Sequence, residues 1–62
     1  MSEKEELLAE LERISAEKKA VVLDFSKAED LHDGETQGSC LATLTRLLER
    51  EKEIRKRLGE LS

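Results

Sequence analysis

The sequence predicts an all-α protein, an antiparallel helical hairpin with one helix over about residues 3–32, a loop over about 33–39 and a second helix over about 40–61. Three observations predict it. Charged residues make up 42% of the chain, proline is absent and Phe25 is the only aromatic, so Glu, Lys, Arg, Leu and Ala dominate, the composition of long helices. Apolar residues recur in alternating steps of four and three in two separate runs, the spacing of one helical face. Between the runs lies HDGETQGSC, residues 32–40, which holds two of the three glycines and marks a connector. A chain this charged invites the reading of disorder, but disordered chains lack regular apolar spacing.

The first helix begins at Ser2, which with Glu5 matches a capping box. Its apolar seam is Leu7, Leu11, Ile14, Val21, Phe25 and Ala28, with Lys18 in one slot and His32 in the slot after Ala28. Gly34 is expected to stop this helix in the left-handed conformation that glycine adopts without a steric penalty. Ser39 is the expected cap of the second helix, with Thr36 as competitor. The second seam is Cys40, Leu44, Leu47, Ile54, Leu58 and Leu61, with Glu51 in the odd slot.

In an antiparallel hairpin, facing residues have position numbers with a constant total. Ala28 with Cys40, Val21 with Leu47, Ile14 with Ile54 and Leu7 with Leu61 each total 68. Phe25 with Leu44, Leu11 with Leu58, and the polar pair Lys18 with Glu51 each total 69. The interruptions of the two seams coincide, so Lys18 and Glu51 are expected to meet and set the register of a hairpin that folds near residues 34–35. Residues 1–62 read as a single helical-hairpin domain. Residues 1–35 carry eleven acidic and five basic side chains, residues 36–62 four and six, so the two arms attract.

One seam buries too little for a chain of 62 residues to be comfortably stable. Leu8, Val22, Leu41 and Leu48 lie beside the seam and widen each apolar face, and Leu23 extends it. Isolated exposed leucines are ordinary on protein surfaces. A set at helical spacing on so small a chain points instead to a homodimer, two hairpins packed as a four-helix bundle.

The chemistry-bearing residues are few. His32 and Cys40, with Asp30, Asp33 and Glu35 nearby, lack the paired spacing of a zinc site. Setting Asp33 as the first position of a calcium loop leaves Leu44 where the bidentate glutamate belongs. A cysteine at a seam position is a neutral, inert thiol rather than a nucleophile. No catalytic residue, metal ligand or cofactor is expected. No apolar run reaches the roughly 18 residues of a membrane span. The acidic start MSEKEELLAELER is unlike a secretory signal, and a cytoplasmic location is the expectation.

These constraints favour a small non-enzymatic protein–protein interaction module of adaptor, chaperone or inhibitor type. It would act as a homodimer and engage a further protein by docking a helix against an apolar groove. The alternative is a nucleic-acid-associated regulator using Arg46, Arg50, Arg55, Lys56 and Arg57 on the second helix. In outline the hairpin resembles the small dimeric helical proteins of the plasmid repressor-of-primer kind, which bind RNA. The resemblance is one of architecture, and no residue motif transfers.

Overall fold

Helix α1 runs from Glu3 to Asp30 and helix α2 from Gly34 to Leu61, two arms of 28 residues each. They form a two-helix hairpin in the computed structural model, which describes residues Ser2–Ser62. Twenty-eight residues at a helical rise of 1.5 Å span about 42 Å. The molecule measures 45 × 16 × 12 Å, so the two arms lie side by side over their whole length. No helix is long and apolar enough to cross a membrane among the described residues.

Ser2, in extended conformation, caps α1: its Oγ accepts a hydrogen bond from the Glu5 N–H at 3.2 Å. Glu3, Glu5 and Glu6 in the first turn suit the positive end of the helix dipole. The other end differs from expectation. The Asp33 N–H donates to the Ala28 carbonyl at 2.8 Å and the His32 N–H to that of Glu29 at 3.1 Å, the paired bonds of a Schellman stop. The left-handed residue of that stop is His32, with φ 56°, and not Gly34. Histidine enters this region more readily than most non-glycine residues, and the two bonds hold it there. His32 therefore leaves the seam and is exposed.

Gly34 is instead the first residue of α2, which starts six residues earlier than the expected Cys40. Neither Ser39 nor Thr36 is its cap. Asp33 is: Oδ1 accepts from the Thr36 N–H at 3.1 Å and Oδ2 from the Thr36 hydroxyl at 2.5 Å. Those hydrogen bonds hold the Asp33 carboxyl below its ordinary value, the Thr36 hydroxyl contributing most. Residues 34–39 carry no apolar period, so their helicity was silent in the sequence. The connector is only Leu31–Asp33.

A shorter connector moves the register. Residues equidistant from it, such as Asp30 and Gly34, total 64 rather than 68. The fold point lies two residues earlier than expected, and the facing partners shift by about four. Phe25 then lies level with Cys40 and Val21 with Leu44, and these four line one hollow together with Val22 and Leu41. The expected layers are thus corrected by half a heptad. Each residue of one seam position lies opposite the other kind of position, as antiparallel helices require. Lys18 and Glu51 still meet, because their side chains reach diagonally: Lys18 Nζ donates to Glu51 Oε2 at 2.8 Å.

The seam carries what core there is. Ile54 is 1% exposed, Ala28 4% and Ile14 5%, and these are the only buried residues among those described. Leu7, Leu11, Val21, Phe25, Cys40, Leu44, Leu47 and Leu58 are half-buried, while Leu61 at the open end is exposed. All three buried residues belong to the seam, but most seam residues remain incompletely covered.

Candidate interaction surface

The two long sides of the hairpin differ in kind, and the difference follows from one rule of geometry. In antiparallel helices, residues that follow a seam position by one fall on the same side of the pair, and residues that precede it by one fall on the other.

The preceding positions include Glu3, Glu10 and Glu17 on α1, and Thr43, Arg50 and Arg57 on α2. Here the helices are laced together. Arg50 Nε donates to Glu10 Oε2 at 2.5 Å and Nη2 to Oε1 at 3.0 Å. Arg57 repeats the fork one heptad on, to Glu3 at 2.7 and 3.0 Å. Each guanidinium also donates to a carboxylate three residues further along its own helix, Glu53 at 3.3 Å and Glu60 at 3.1 Å. Two-pronged arginine–carboxylate bonds are the geometrically specific kind. The forks hold the Glu10 and Glu3 carboxyls below the ordinary glutamate range and raise both arginines above theirs.

The large apolar residues at following positions are Leu8, Val22, Leu41 and Leu48, and they share this side with polar residues such as Ser15, Lys19, Lys52 and Arg55. Leu8 is 46% exposed, Leu48 48%, Leu41 53% and Val22 54%. Among the described residues, no forked arginine pair crosses this side. Val22 and Leu41 share a hollow of about 160 Å³ with Val21, Phe25, Cys40 and Leu44. A shallower depression beside it is bounded by Ser15, Lys18, Lys19, Val22, Leu23 and Leu44. Leu23 lies further round α1, on the rim of this side rather than within it, and is more exposed still. The structure thus brings Val22 and Leu41 together, places Leu8 and Leu48 on the same side at heptad spacing, and leaves Leu23 at the border.

Lys18 and Glu51 lie at the floor of this side. Their side chains are 28% and 13% exposed, and the lysine hydrogen bond is the main cause that holds the Glu51 carboxyl below its ordinary value. Glu51 Oε1 also lies 3.5 Å from Arg55 Nη1. Glu51 thus joins Lys18 and Arg55 in ion pairs among the exposed apolar residues of this side.

Of the five α2 residues that a nucleic-acid face would use, Arg50, Arg55 and Arg57 are committed to carboxylates of this chain. Arg46 and Lys56 take part in no ion pair among the described residues. His32 is exposed in the connector and Cys40 is a half-buried free thiol. No group of three or more His, Cys, Asp or Glu side chains placed to hold a metal occurs among the described residues.

The division into two sides escaped the sequence reading, although its signal was present. Each exposed large hydrophobic residue except Leu23, Leu31 and Leu61 follows a seam residue, as Leu8 follows Leu7 and Leu48 follows Leu47. Glu10, Glu53 and Glu60, which pair with arginine, each precede a seam residue, whereas Glu51 lies in the seam itself. Searches against protein-family models, curated proteins and solved structures returned no match.

Proposed function

We propose that this chain is a non-enzymatic protein–protein interaction module of adaptor, chaperone or inhibitor type that works as a helical-hairpin homodimer. The observation that carries the proposal is the asymmetry of the two sides. One is closed by forked ion pairs, while the other leaves Leu8, Val22, Leu41 and Leu48 about half exposed in a single strip. A chain with only three buried residues among those described gains most by covering that strip. The two hairpins would make a four-helix bundle, in which the same helix-against-groove chemistry serves self-pairing and the capture of a partner protein, with Leu23 extending the surface at its rim.

Sedimentation equilibrium at micromolar concentration tests the first half: the expected mass is twice 7.0 kDa, and a well-folded monomer refutes the homodimer. Val22→Glu with Leu48→Glu should shift the same measurement towards monomer or abolish folding, because both changes place charge in the strip. The nucleic-acid reading, which used Arg46, Arg50, Arg55, Lys56 and Arg57, is disfavoured by the internal pairing of three of the five. Titration with duplex RNA and DNA at low and moderate salt separates the readings. Phosphate-driven binding weakens steeply with salt, whereas apolar docking persists.

A further inference from the structure

The structure offers two ways to lay one apolar side on another, and the charges on that side distinguish them. A two-fold axis along the hairpin places both connectors at the same end and sets α1 of each copy over α2 of the other. A two-fold axis across the hairpin places the connectors at opposite ends and sets α1 over α1 and α2 over α2. Both arrangements bury Leu8, Val22, Leu41 and Leu48, so apolar contact does not choose between them.

Lys18 and Glu51 do choose. They occupy the floor of the strip near its middle, one on each helix. With connectors at the same end, Lys18 of one copy approaches Glu51 of the second copy, and the four groups alternate in sign. With connectors at opposite ends, lysine approaches lysine and glutamate approaches glutamate at the place where both are least hydrated. Like charges juxtaposed in an interface are strongly disfavoured.

The borders of the strip lean the same way. Glu5, Glu12 and Lys19 border it on α1 and Lys52 on α2, while Arg55 follows Ile54 and lies within it. Glu12 and Lys52 total 64 and so lie at one level of the hairpin. The same-end arrangement sets Glu12 of each copy beside Lys52 of the other. The opposite-end arrangement offers Glu12 a contact with the second copy's Lys19, but that pair is solvated, and exposed pairs contribute little. It does not offset like charges at the floor.

The vacant positions of α2 fit as well. Gly38 lies inside the helix on the border of this side, and a Cβ there would meet nothing within 4 Å. Glycine lowers helix stability by about 1 kcal/mol relative to alanine, and the hairpin itself has no steric need for it. In the same-end arrangement Gly38 lies opposite the second copy's Ser26, small residue against small, where the connector ends of the two copies converge.

We propose that two copies pair through the Leu8–Val22–Leu41–Leu48 side with their connectors at the same end, so that Lys18 and Glu51 of both copies alternate at the centre. The proposal rests on the homodimer reading above. The experiment is interspin distance measurement on nitroxide-labelled Leu31→Cys in a Cys40→Ala background, with Ser62→Cys as a second label at the open end. Leu31 is 77% exposed, and Ser62 lies beyond α2, so neither label disturbs the seam. Same-end pairing places both Leu31 labels at one end, separated by about one interhelical spacing plus the label tethers, on the order of 15–25 Å. The Ser62 labels should then give a short distance as well. Opposite-end pairing separates each set by about the 45 Å length of the molecule. Long distances at both positions overturn the arrangement while leaving the homodimer standing. Absence of any coupling at micromolar concentration, with helical content retained, overturns both.

Discussion

His32 and Gly34 exchange the roles that their residue types suggest, and the exchange is measurable. His32 holds φ 56° at the end of α1, while Gly34 has ordinary helical backbone at the start of α2. A left-handed conformation costs a side-chain-bearing residue about 1–2 kcal/mol, and glycine removes most of it at some entropic cost in the unfolded chain. His32→Gly should therefore stabilise the hairpin by about 0.5–1 kcal/mol. A Cβ on Gly34 would meet nothing within 4 Å, so Gly34→Ala should stabilise it by a further 0.4–1 kcal/mol, roughly. The positions are too close for strict additivity, yet both changes act on backbone freedom and neither removes a contact. Their sum of about 1–2 kcal/mol corresponds to a rise in Tm on the order of 5–10 °C for a domain this small. Thermal denaturation followed by far-ultraviolet circular dichroism, at one fixed protein concentration because association shifts Tm, gives the answer. Had Gly34 been the left-handed stop, Gly34→Ala would destabilise by about 1 kcal/mol and His32→Gly would do nothing useful. That pair of results would refute the reasoning.

Ile54→Ala removes the most buried side chain and should cost about 2–4 kcal/mol, lowering Tm by about 10 °C or more in the same melt. An unchanged Tm would mean that the seam is not the core. Leucine at both Lys18 and Glu51 should raise Tm while multiplying register or association states, read as extra amide resonances or masses in native mass spectrometry. A more stable and equally uniform variant would show that the pair does not set register. Acidification should destabilise the hairpin. Glu3, Glu10 and Glu51 are held below the ordinary glutamate range and Asp33 below that of aspartate. The unfolded chain therefore binds more protons than the folded one between the depressed values and the ordinary ones. Stability from these groups is full above about pH 5 and is lost as the pH falls through the lowered values. Denaturant titrations at pH 7 and pH 3 measure it, and equal midpoints at the two values would contradict the forked pairs.

The helical arms and their inward faces were legible in the chain itself because they follow from spacing. Leu7, Leu11, Ile14, Val21, Phe25 and Ala28 repeat at steps that only a helix turns into one face, and Cys40 to Leu58 do the same. The meeting of Lys18 with Glu51 was legible too, although from layers that proved half a heptad out, since long side chains bridge that offset. The connector was not legible. Residues 34–39 have no apolar pattern, and glycine at position 34 signals a stop as readily as a start. Only the hydrogen bonds of Ala28 with Asp33, Glu29 with His32, and Asp33 with Thr36 decide where one helix ends and the next begins. Once the connector contracts to three residues, every facing partner shifts, because register in a hairpin is inherited from its turn. The sidedness of the molecule is likewise a tertiary fact. Leu8 and Leu48 are forty residues apart in the chain, and whether they share a surface depends on the direction in which the second helix returns. Periodicity belongs to each helix alone and is written in the sequence; adjacency belongs to the pair and comes into being only when the chain folds back.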